Sequence, residues 1–245
     1  MKKLLLFLLV LPFVLGSCGS DDDDDSISLK ETEKVLKYGE TYQINATSSN
    51  KISYTSENKY HATVSESGLV TAGRIGETQI SVSDGKSTKK FKVTVNAESN
   101  LYPEPNIEFG ISKADLIKKL GTPDSQTNSG IGYLNYSTNA PIAMYLFDSN
   151  GKLNSSTVMV KTAYSSELGT FFKERYVYGT SIEEDYTLIF VNALKIEDAT
   201  MLIGASLYNA NYWSTTYMPY AYKKSKSTNH NSDLQNIHEL MKSLN

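Results

Sequence analysis

Cysteine is almost absent from this chain, which contains one, Cys18, among its 245 residues. Disulfide bridges and clusters of thiolate metal ligands are therefore excluded, and stability must come from hydrophobic burial. Histidine is scarce too, and the three present are His61, His230 and His238. None has an evident partner for metal binding or catalysis, although a triad built on His238 stays open.

Motifs that mark common enzymes are also missing. The sequence has no Gly-x-Ser-x-Gly elbow, no His-Glu-x-x-His zinc motif, no phosphate loop and no dinucleotide fingerprint. Paired carboxylates of a glycosidase could come from 183–185 or 197–198, but both groups lie between predicted strands, where charge favours solubility. Residues 148–151 fit a hairpin turn better than a calcium loop. We therefore predict no enzyme, no metal and no cofactor.

A basic stripe is absent as well, which argues against a nucleic-acid partner. The net charge of −3 is explained by one run of acidic residues near the N-terminus. The remaining composition is rich in Tyr, Ser, Thr and Asn, and the 17 tyrosines outnumber the 8 phenylalanines. This profile is typical of an exported, β-rich protein.

The N-terminus carries the three parts of a secretory signal. Lys2 and Lys3 precede an apolar run from Leu4 to about Leu15. The run is shorter than the roughly 20 residues that a membrane-spanning helix needs, so cleavage is the better interpretation. The sequence 15–18, Leu-Gly-Ser-Cys, resembles the bacterial lipobox. That resemblance implies a signal peptide over 1–17 and lipid attachment at Cys18, with anchoring in the membrane.

The acidic run follows the cysteine within three residues. Adjacent carboxylates repel one another, so residues 18–26 are predicted to be a lipid anchor and an extended tether. Cys-Gly-Ser-Asp-Asp-Asp resembles the surface-export signal of Bacteroidetes lipoproteins. The resemblance implies an outer-membrane location, and we favour the cell surface over the periplasmic face. The acidic residues of this export signal are Asp21, Asp22, Asp23, Asp24 and Asp25.

Residues 27–96 read as many short strands separated by turns. Apolar residues alternate with polar ones around positions 42–44, 52–54, 62–64, 80–82 and 91–95. Asp84-Gly85 suits a tight hairpin because glycine tolerates positive φ. The blocks at 54–58, 62–65, 68–72, 76–80 and 93–95 resemble the bacterial immunoglobulin-like (Ig-like) domain, group 2. The resemblance implies a β-sandwich that serves as a spacer or adhesive module.

Residues 97–105 are predicted to be a polar linker, because Pro103 and Pro105 cannot support a central strand. Beyond it, Ser112 stands three residues before Asp115, which predicts a helix start. Gly121 and Pro123 predict its end. Strands are then predicted over 131–136, 142–147 and 153–160. A second helix over 165–176 is followed by strands over 186–191, 200–208 and 212–222.

The protein is therefore predicted to be mostly β with two domains. An Ig-like β-sandwich precedes an α+β domain, 106–224, in which two helix–three-strand units pack their helices on an antiparallel sheet. A linker and an amphipathic helix would follow over 225–245. The blocks at 109–116, 120–123, 134–136 and 145–153 resemble the small lipoprotein of the β-barrel assembly machinery. The β-lactamase inhibitor protein fold has related helix–hairpin units. Both resemblances imply a protein-binding α+β fold.

Aromatic residues cluster in the last predicted strands. Alternation places three of them on one face of the sheet and two on the other, so helices on one face would leave rings exposed on the opposite face. Core filling is the competing interpretation. The candidate binding residues are Tyr208, Tyr212, Trp213, Tyr217, Tyr220 and Tyr222.

These observations favour a non-catalytic surface lipoprotein in which an Ig-like spacer presents a recognition domain for a glycan or a protein. An envelope-assembly scaffold and a hydrolase inhibitor or accessory subunit remain alternatives. An unrecognised hydrolase is the last alternative.

Overall fold

A computed structural model describes residues 27–183 and 186–220. Cys18, the acidic run, Tyr222 and the predicted C-terminal helix lie outside these residues. The described part is mostly β, which confirms the predicted class. No helix in it is both long enough and apolar enough to cross a membrane.

The N-terminal region, residues 27–96, contains only strands as regular elements. Its two main sheets have the orders β2-β9-β8-β5 and β3-β7-β6, and β1 pairs with β4. The strands are β1 (Ser28–Leu29), β2 (Glu33–Lys37), β3 (Thr41–Gln43), β4 (Ala46–Thr47), β5 (Ser53–Ser56), β6 (Ala62–Val64), β7 (Leu69–Ala72), β8 (Gly76–Ser83) and β9 (Thr88–Asn96).

The core of this region follows the predicted alternation. Phe91, Val93 and Val95 on β9 are buried, while Lys92 and Thr94 between them are partly exposed. Strand β2 pairs with β9 in parallel, and the remaining pairs of the two main sheets are antiparallel. One face of each strand therefore meets the partner sheet and the other meets water, as in a β-sandwich.

The predicted hairpin at Asp84-Gly85 connects β8 to β9. Gly85 has a φ of +87°, which glycine adopts at little cost. The Asp84 carboxylate accepts hydrogen bonds from the hydroxyl of Ser48 at 2.7 Å and from the backbone N–H of Ser87 at 2.8 Å. These hydrogen bonds hold the pKa of Asp84 well below its usual value.

In its described residues, the C-terminal region, residues 97–220, contains one eight-stranded antiparallel sheet and two α-helices. The helices are α1 (Lys113–Leu120) and α2 (Ser165–Lys173). The strands are β10 (Ser125–Gln126), β11 (Gly130–Leu134), β12 (Ile142–Phe147), β13 (Leu153–Lys161), β14 (Val177–Ile182), β15 (Thr187–Val191), β16 (Met201–Asn209) and β17 (Tyr212–Pro219).

The strand order is β10-β11-β12-β13-β17-β16-β15-β14. Strands that follow α1 occupy one half of the sheet and strands that follow α2 occupy the other. The halves meet where the last strands of each, β13 and β17, pair antiparallel from Ser156↔Tyr217 to Lys161↔Tyr212. The predicted three strands per unit are wrong: each half contains four, because β10 and β14 were not predicted.

Helix α1 begins and ends as the sequence predicted. The Ser112 hydroxyl accepts the backbone N–H of Asp115 at 3.2 Å, and the N–H of Gly121 donates to the carbonyl of Ile117. Leu116 is buried in a cluster with Tyr145 and Phe147 of β12. Helix α2 ends at Lys173, three residues before the predicted end.

The sheet has two faces that the register distinguishes. The helix face carries Val158, Ile203 and Tyr217, which share a core with Phe171 and Phe172 of α2. The rear face carries the alternate residues. At its β14–β16 side, Ile189 and Leu202 pack with Ile196 and Ala199 of the loop between β15 and β16.

Residues 97–105 form no helix or strand, but they are not a solvated segment. Leu101 and Tyr102 are buried in the core of α2, and Ser99 and Pro105 are buried as well. Tyr102 stacks on Phe171 with ring centroids 4.4 Å apart. The segment therefore fills space on the helix face.

Candidate binding surface

Glu174 and Arg175, directly after α2, form the centre of the junction between the two regions. The Glu174 carboxylate is 1% exposed and lies 2.5 Å from Nη1 of Arg175. It also accepts the backbone N–H groups of Glu98 at 2.7 Å and Ser99 at 3.0 Å. Two of these charge-assisted hydrogen bonds hold the segment that directly follows the N-terminal region against the end of α2.

The N-terminal region supplies contacts from the other side of the junction. The Tyr60 hydroxyl donates to the carbonyl of Arg175 at 2.6 Å, and the N–H of Ile75 donates to the carbonyl of Glu174 at 2.8 Å. Burial raises the pKa of Tyr60 to about 12. Tyr38 has the cations of Arg74 and Lys173, one from each region, within 5.5 Å of its ring centroid. Direct contacts therefore fix the junction.

The chain enters and leaves the N-terminal region at opposite ends. The N–H of Ile27 donates to the hydroxyl of Ser87, at the hairpin end of β8. Ile75, which bonds the C-terminal region, precedes the other end of β8. The eight residues of β8 at about 3.3 Å each separate these ends by about 25 Å.

Buried tyrosines and Glu104 form a polar network behind the junction. The hydroxyls of Tyr102 and Tyr217 lie 2.9 Å apart, and burial raises the pKa of both. Tyr176 donates to the Glu104 carboxylate. Part of Glu104 is exposed, yet the protein packed around its carboxyl raises its pKa, against the effect of Arg175. The hydroxyls of Tyr102 and Tyr217 form a hydrogen bond with one another, which indicates that these two residues have a structural role.

The predicted aromatic residues do not share one exposed face. Tyr217 is 0% exposed within the core of α2, and this corrects its assignment to a binding site. Trp213 packs against the same core and its indole N–H donates to the hydroxyl of Ser165 at 2.8 Å. Tyr220 packs against the rear-face cluster around Ile189. The physical reason is that α2 covers the helix face at Trp213 and Tyr217, while the rear-face cluster covers Tyr220.

Exposed apolar residues do gather at the end of the sheet farthest from the junction. Helix α2 runs from Ser165, beside Trp213, to the junction at Glu174, so the β14–β15 and β16–β17 turns lie at the distal end. Leu188 pairs with Ala205, which places it diagonally next to Leu207 on the helix face. We call the residues exposed there the distal patch: Tyr186 at 78%, Leu188 at 38%, Leu207 at 48% and Tyr208 at 53%.

Of the predicted residues, Tyr208 belongs to this patch, while Tyr212 and Trp213 border it in the same hairpin. Tyr208 is the extra residue of a bulge in β16, because Leu207 pairs with Trp213 and Asn209 with Tyr212. Sequence reasoning missed Leu188 and Leu207 because each lies in an apolar strand that reads as core. No alternation marked the extra strand β14 in this half of the sheet, because Gly179 interrupts it.

The N-terminal region holds a separate shallow groove of about 240 Å³, lined by Glu57, Asn58, Glu77, Thr78, Gln79 and Lys92. Its charges are paired, since Lys92 lies 2.8 Å from Glu77 and Lys90 bonds to Glu57. Within residues 27–183 and 186–220, no group of three or more acidic, histidine or cysteine side chains could hold a metal ion. His61 lies in a turn, with Nδ1 3.1 Å from the carbonyl of Arg74.

Comparison with known families assigns the N-terminal region. Residues 25–95 match the bacterial Ig-like domain, group 2, so the predicted resemblance is confirmed and this part of the chain is an Ig-like domain. The match does not extend to the C-terminal region, whose resemblance to the assembly-machinery lipoprotein stays a prediction. No curated protein matches the sequence.

Solved structures with some likeness include a mutant intimin of EHEC O157:H7, at 22% identity over 42% of this chain and 59% of that chain, with a TM-score of 0.24. Domains 4–9 of the surface layer protein SbsC match at 16% identity over 81% and 27%, with a TM-score of 0.28. A SusE-like surface-located polysaccharide-binding protein from Bacteroides thetaiotaomicron matches at 9% identity over 80% and 34%, with a TM-score of 0.23. This chain thus spans less than two thirds of each of them, and such low TM-scores support no functional inference.

Proposed function

We propose that this protein is a non-catalytic lipoprotein of the outer membrane, displayed on the cell surface, in which an Ig-like spacer presents a C-terminal binding region to a protein partner. Cys18 carries the lipid in this proposal, and Asp21–Asp25 form the export signal and tether. The binding site is the distal patch. The C-terminal region is an α+β domain of two similar halves, each with one helix on the sheet.

One observation supports the proposal: Ile27, the junction and the distal patch follow one another in space. The tether joins the Ig-like domain at Ile27, the junction lies at the other end of that domain, and the patch lies at the far end of the next one. A chain anchored at Cys18 would therefore hold the patch away from the membrane. Contacts around Glu174 limit bending between the two domains.

The chemistry of the patch favours a protein partner over a glycan. Leu188 and Leu207 give it aliphatic side chains between the rings of Tyr186 and Tyr208, a mixture suited to an apolar protein surface. Sugar binding uses a flat aromatic platform with free polar groups. Trp213 is the only tryptophan, and its indole N–H already bonds to Ser165.

Binding of defined ligands tests this function. We expect purified protein to be retained on an array of purified surface and host proteins, and Leu207→Asp to weaken that retention about tenfold or more, because a charge replaces a central apolar contact. Leu134→Asp is the matched control, since Leu134 is a leucine of the same sheet at 56% exposure, outside the patch. Retention on glycans alone, or equal losses in both variants, would contradict the proposal.

Mass spectrometry of the mature N-terminus tests the anchor separately. We expect a diacylglyceryl group on Cys18 and loss of residues 1–17. Protease treatment of intact cells should then remove the C-terminal region if the protein faces outwards. An unmodified thiol at Cys18 would contradict anchoring without affecting the binding result.

A further inference from the structure

Strand β14 is the outermost strand in one half of the eight-stranded sheet, so one edge of its backbone has no strand partner among the described residues. Its six residues are Val-Tyr-Gly-Thr-Ser-Ile, and none of them is charged or proline. Unpaired strand edges accept further strands, and proteins protect them with charges, with proline or by keeping the strand very short. The edge of β14 has none of these protections.

The other edge strands of the described residues are better protected. Strand β2 has five residues, and three of them, Glu33, Lys34 and Lys37, are charged. The remaining edge strands, β1, β3, β4, β5, β6 and β10, have between two and four residues. In β14 only the bulge at Gly179 interrupts the edge, and regular pairs lie on both sides of it. Within residues 27–183 and 186–220, β14 is therefore the longest edge strand without a charge.

The side chains beside this edge can pack on an added strand. Tyr178 pairs with Phe190 of the helix-face core, and it is 54% exposed. Val177 and Ile182 lie on the rear face, half-buried against the cluster around Ile189. An added strand would therefore cover apolar surface on both faces of the sheet while it pairs with the backbone of β14.

The two ends of β14 carry opposite charges. At its start, α2 ends with Lys173, and Nε of Arg74 lies 3.4 Å from the carbonyl oxygen of Tyr176. Both cations lie beside the ring of Tyr38, and neither forms an ion pair with another described residue. At its end, Glu183 is exposed and two more acidic residues follow it in the sequence. A second β14 that runs antiparallel to the first would bring opposite charges together at both ends.

We propose that β14 pairs antiparallel with β14 of a second copy of this protein and joins the two sheets into one. The two-fold axis passes between Gly179 and Thr180, so Tyr178 faces Ser181 of the second copy. Tyr178 and Ser181 lie on the same face of the sheet, because their partners in β15 are Phe190 and Leu188 of the helix face. The same surface is therefore used by both copies, as a two-fold axis requires.

The direction of this pairing places the two Ig-like domains at opposite ends of the joined sheet, because the junction lies at the start of β14 in each copy. Copies that are anchored as proposed above would then pair between two facing cells. This consequence alone rests on the proposed function, and the pairing itself does not.

The oligomeric state of the purified protein tests the pairing. Analytical ultracentrifugation should show a dimer at micromolar concentration, and Ser181→Lys should raise its dissociation constant about tenfold or more, because the substitution places a charge on the shared edge. Ser125→Lys is the matched control, since Ser125 is an exposed serine of β10 at the opposite edge of the sheet, and it should leave the dimer unchanged. A monomeric wild-type protein, or equal effects of the two substitutions, would overturn the proposal.

Charge reversal tests the direction of the pairing. Lys173→Glu and Glu183→Lys should each weaken the dimer about tenfold, because like charges then meet at both ends. In a mixture of the two variants, both contacts between unlike copies join opposite charges again, so mixed dimers should form about as tightly as wild-type dimers. Mixing would not reverse a purely local effect of Lys173→Glu on the junction, and a mixture that stays monomeric would overturn the antiparallel arrangement.

Both measurements are independent of the proposed function. Neither uses a ligand of the distal patch or the lipid on Cys18, so loss of retention on protein arrays would leave the dimer in place. A dimer that persists in Ser181→Lys would assign self-association to another surface and would overturn the role of β14.

Discussion

The two regions of this protein bury their cores in different ways. In the Ig-like domain, aliphatic residues such as Val93 and Val95 alternate with charged or polar ones, so each strand has one wet face. In the C-terminal region, aromatic rings predominate: Phe172 stacks on Phe190 with centroids 4.7 Å apart, and Tyr102 stacks on Phe171. Hydroxyls and a carboxylate are buried with them.

This difference separates the Ig-like domain from the C-terminal region in what each core needs for its stability. An alternating aliphatic core needs no polar partner, so the Ig-like domain can be short and self-contained. The C-terminal core depends on the satisfied hydroxyls of Tyr102 and Tyr217 and on Glu174, whose backbone carbonyl also accepts the N–H of Ile75 in the Ig-like domain. Its stability is therefore coupled to the junction, and substitutions in the two cores and at Glu174 test that coupling.

The largest effect is expected from removing one buried ring in each region. Phe171→Ala should lower the free energy of unfolding of the C-terminal region by about 4 kcal/mol, and Phe91→Ala should do the same to the Ig-like domain. Both rings are at most 1% exposed. Fluorescence of Trp213 reports on the C-terminal region, and hydrogen exchange in β8 and β9 reports on the Ig-like domain. If either variant destabilises both regions equally, they are one cooperative unit.

The next effect concerns the junction. Glu174→Gln should cost about 3 kcal/mol, because Arg175 would keep its charge in a buried position without its partner. Glu98→Gln is the matched control: the Glu98 side chain forms an exposed ion pair with Lys37 at 3.2 Å, so its loss should cost less than about 1 kcal/mol. Thermal unfolding followed by Trp213 fluorescence measures both. Equal costs would show that the buried pair of Glu174 and Arg175 contributes no more than an exposed ion pair.

The two regions differ in how much of their structure the sequence predicts. The reason is again whether the strands of a region keep one face in water. Strands with one wet face leave an alternating pattern, and the Ig-like strands and the Asp84 hairpin were predicted from it. Helix α1 was predicted from Ser112 and Gly121 because caps are local chemistry. Strand β14 escaped prediction because Gly179 and a register shift between Tyr178 and Thr180 interrupt its alternation.

The proposed binding site was harder to predict than the fold. Alternation correctly separated Trp213 and Tyr217 from Tyr212, but it cannot tell which face another element will cover. The residues 97–105 read as a polar linker, yet Tyr102 from this segment reaches Tyr217 and buries it. Contacts between residues more than one hundred positions apart leave no local pattern, so the distal patch could be found only in the structure.

A smaller loss of stability is expected from replacing a glycine in a turn. Gly68 has a φ of +84°, and a Cβ added there would lie 2.7 Å from the ring of Tyr54. Gly68→Ala should therefore cost about 2 kcal/mol, from backbone strain plus displacement of the ring. Gly151→Ala is the control in the C-terminal region, since its φ is +70° but its Cβ would meet nothing within 4 Å; about 1 kcal/mol is expected. Chemical denaturation measures both, and a larger cost at Gly151 would contradict the crowding argument.

The smallest expected effect is a pH dependence of opposite sign in the two regions. The pKa of Asp84 is lowered by its hydrogen bonds, so its stabilising contribution is present above the unfolded pKa near 3.8 and is lost as the pH falls toward the folded value. The pKa of Glu104 is raised by the surrounding protein. Its contribution is present below the unfolded pKa near 4.5 and is lost as the pH rises through the folded value.

Unfolding followed separately in the two regions between pH 3 and pH 7 distinguishes these contributions. Asp84→Asn should reduce the acid-induced loss in the Ig-like domain, where the pKa of Glu77 is lowered as well. Glu104→Gln should flatten the profile of the C-terminal region above pH 4.5, because an amide does not titrate. Tyr176 can still donate to the amide oxygen of the Glu104→Gln variant, so its hydrogen bond is kept. If Glu104→Gln instead weakens the C-terminal region at neutral pH, the charged form of the carboxylate stabilises this region. Its polar contacts then outweigh the unfavourable effect of burying its charge.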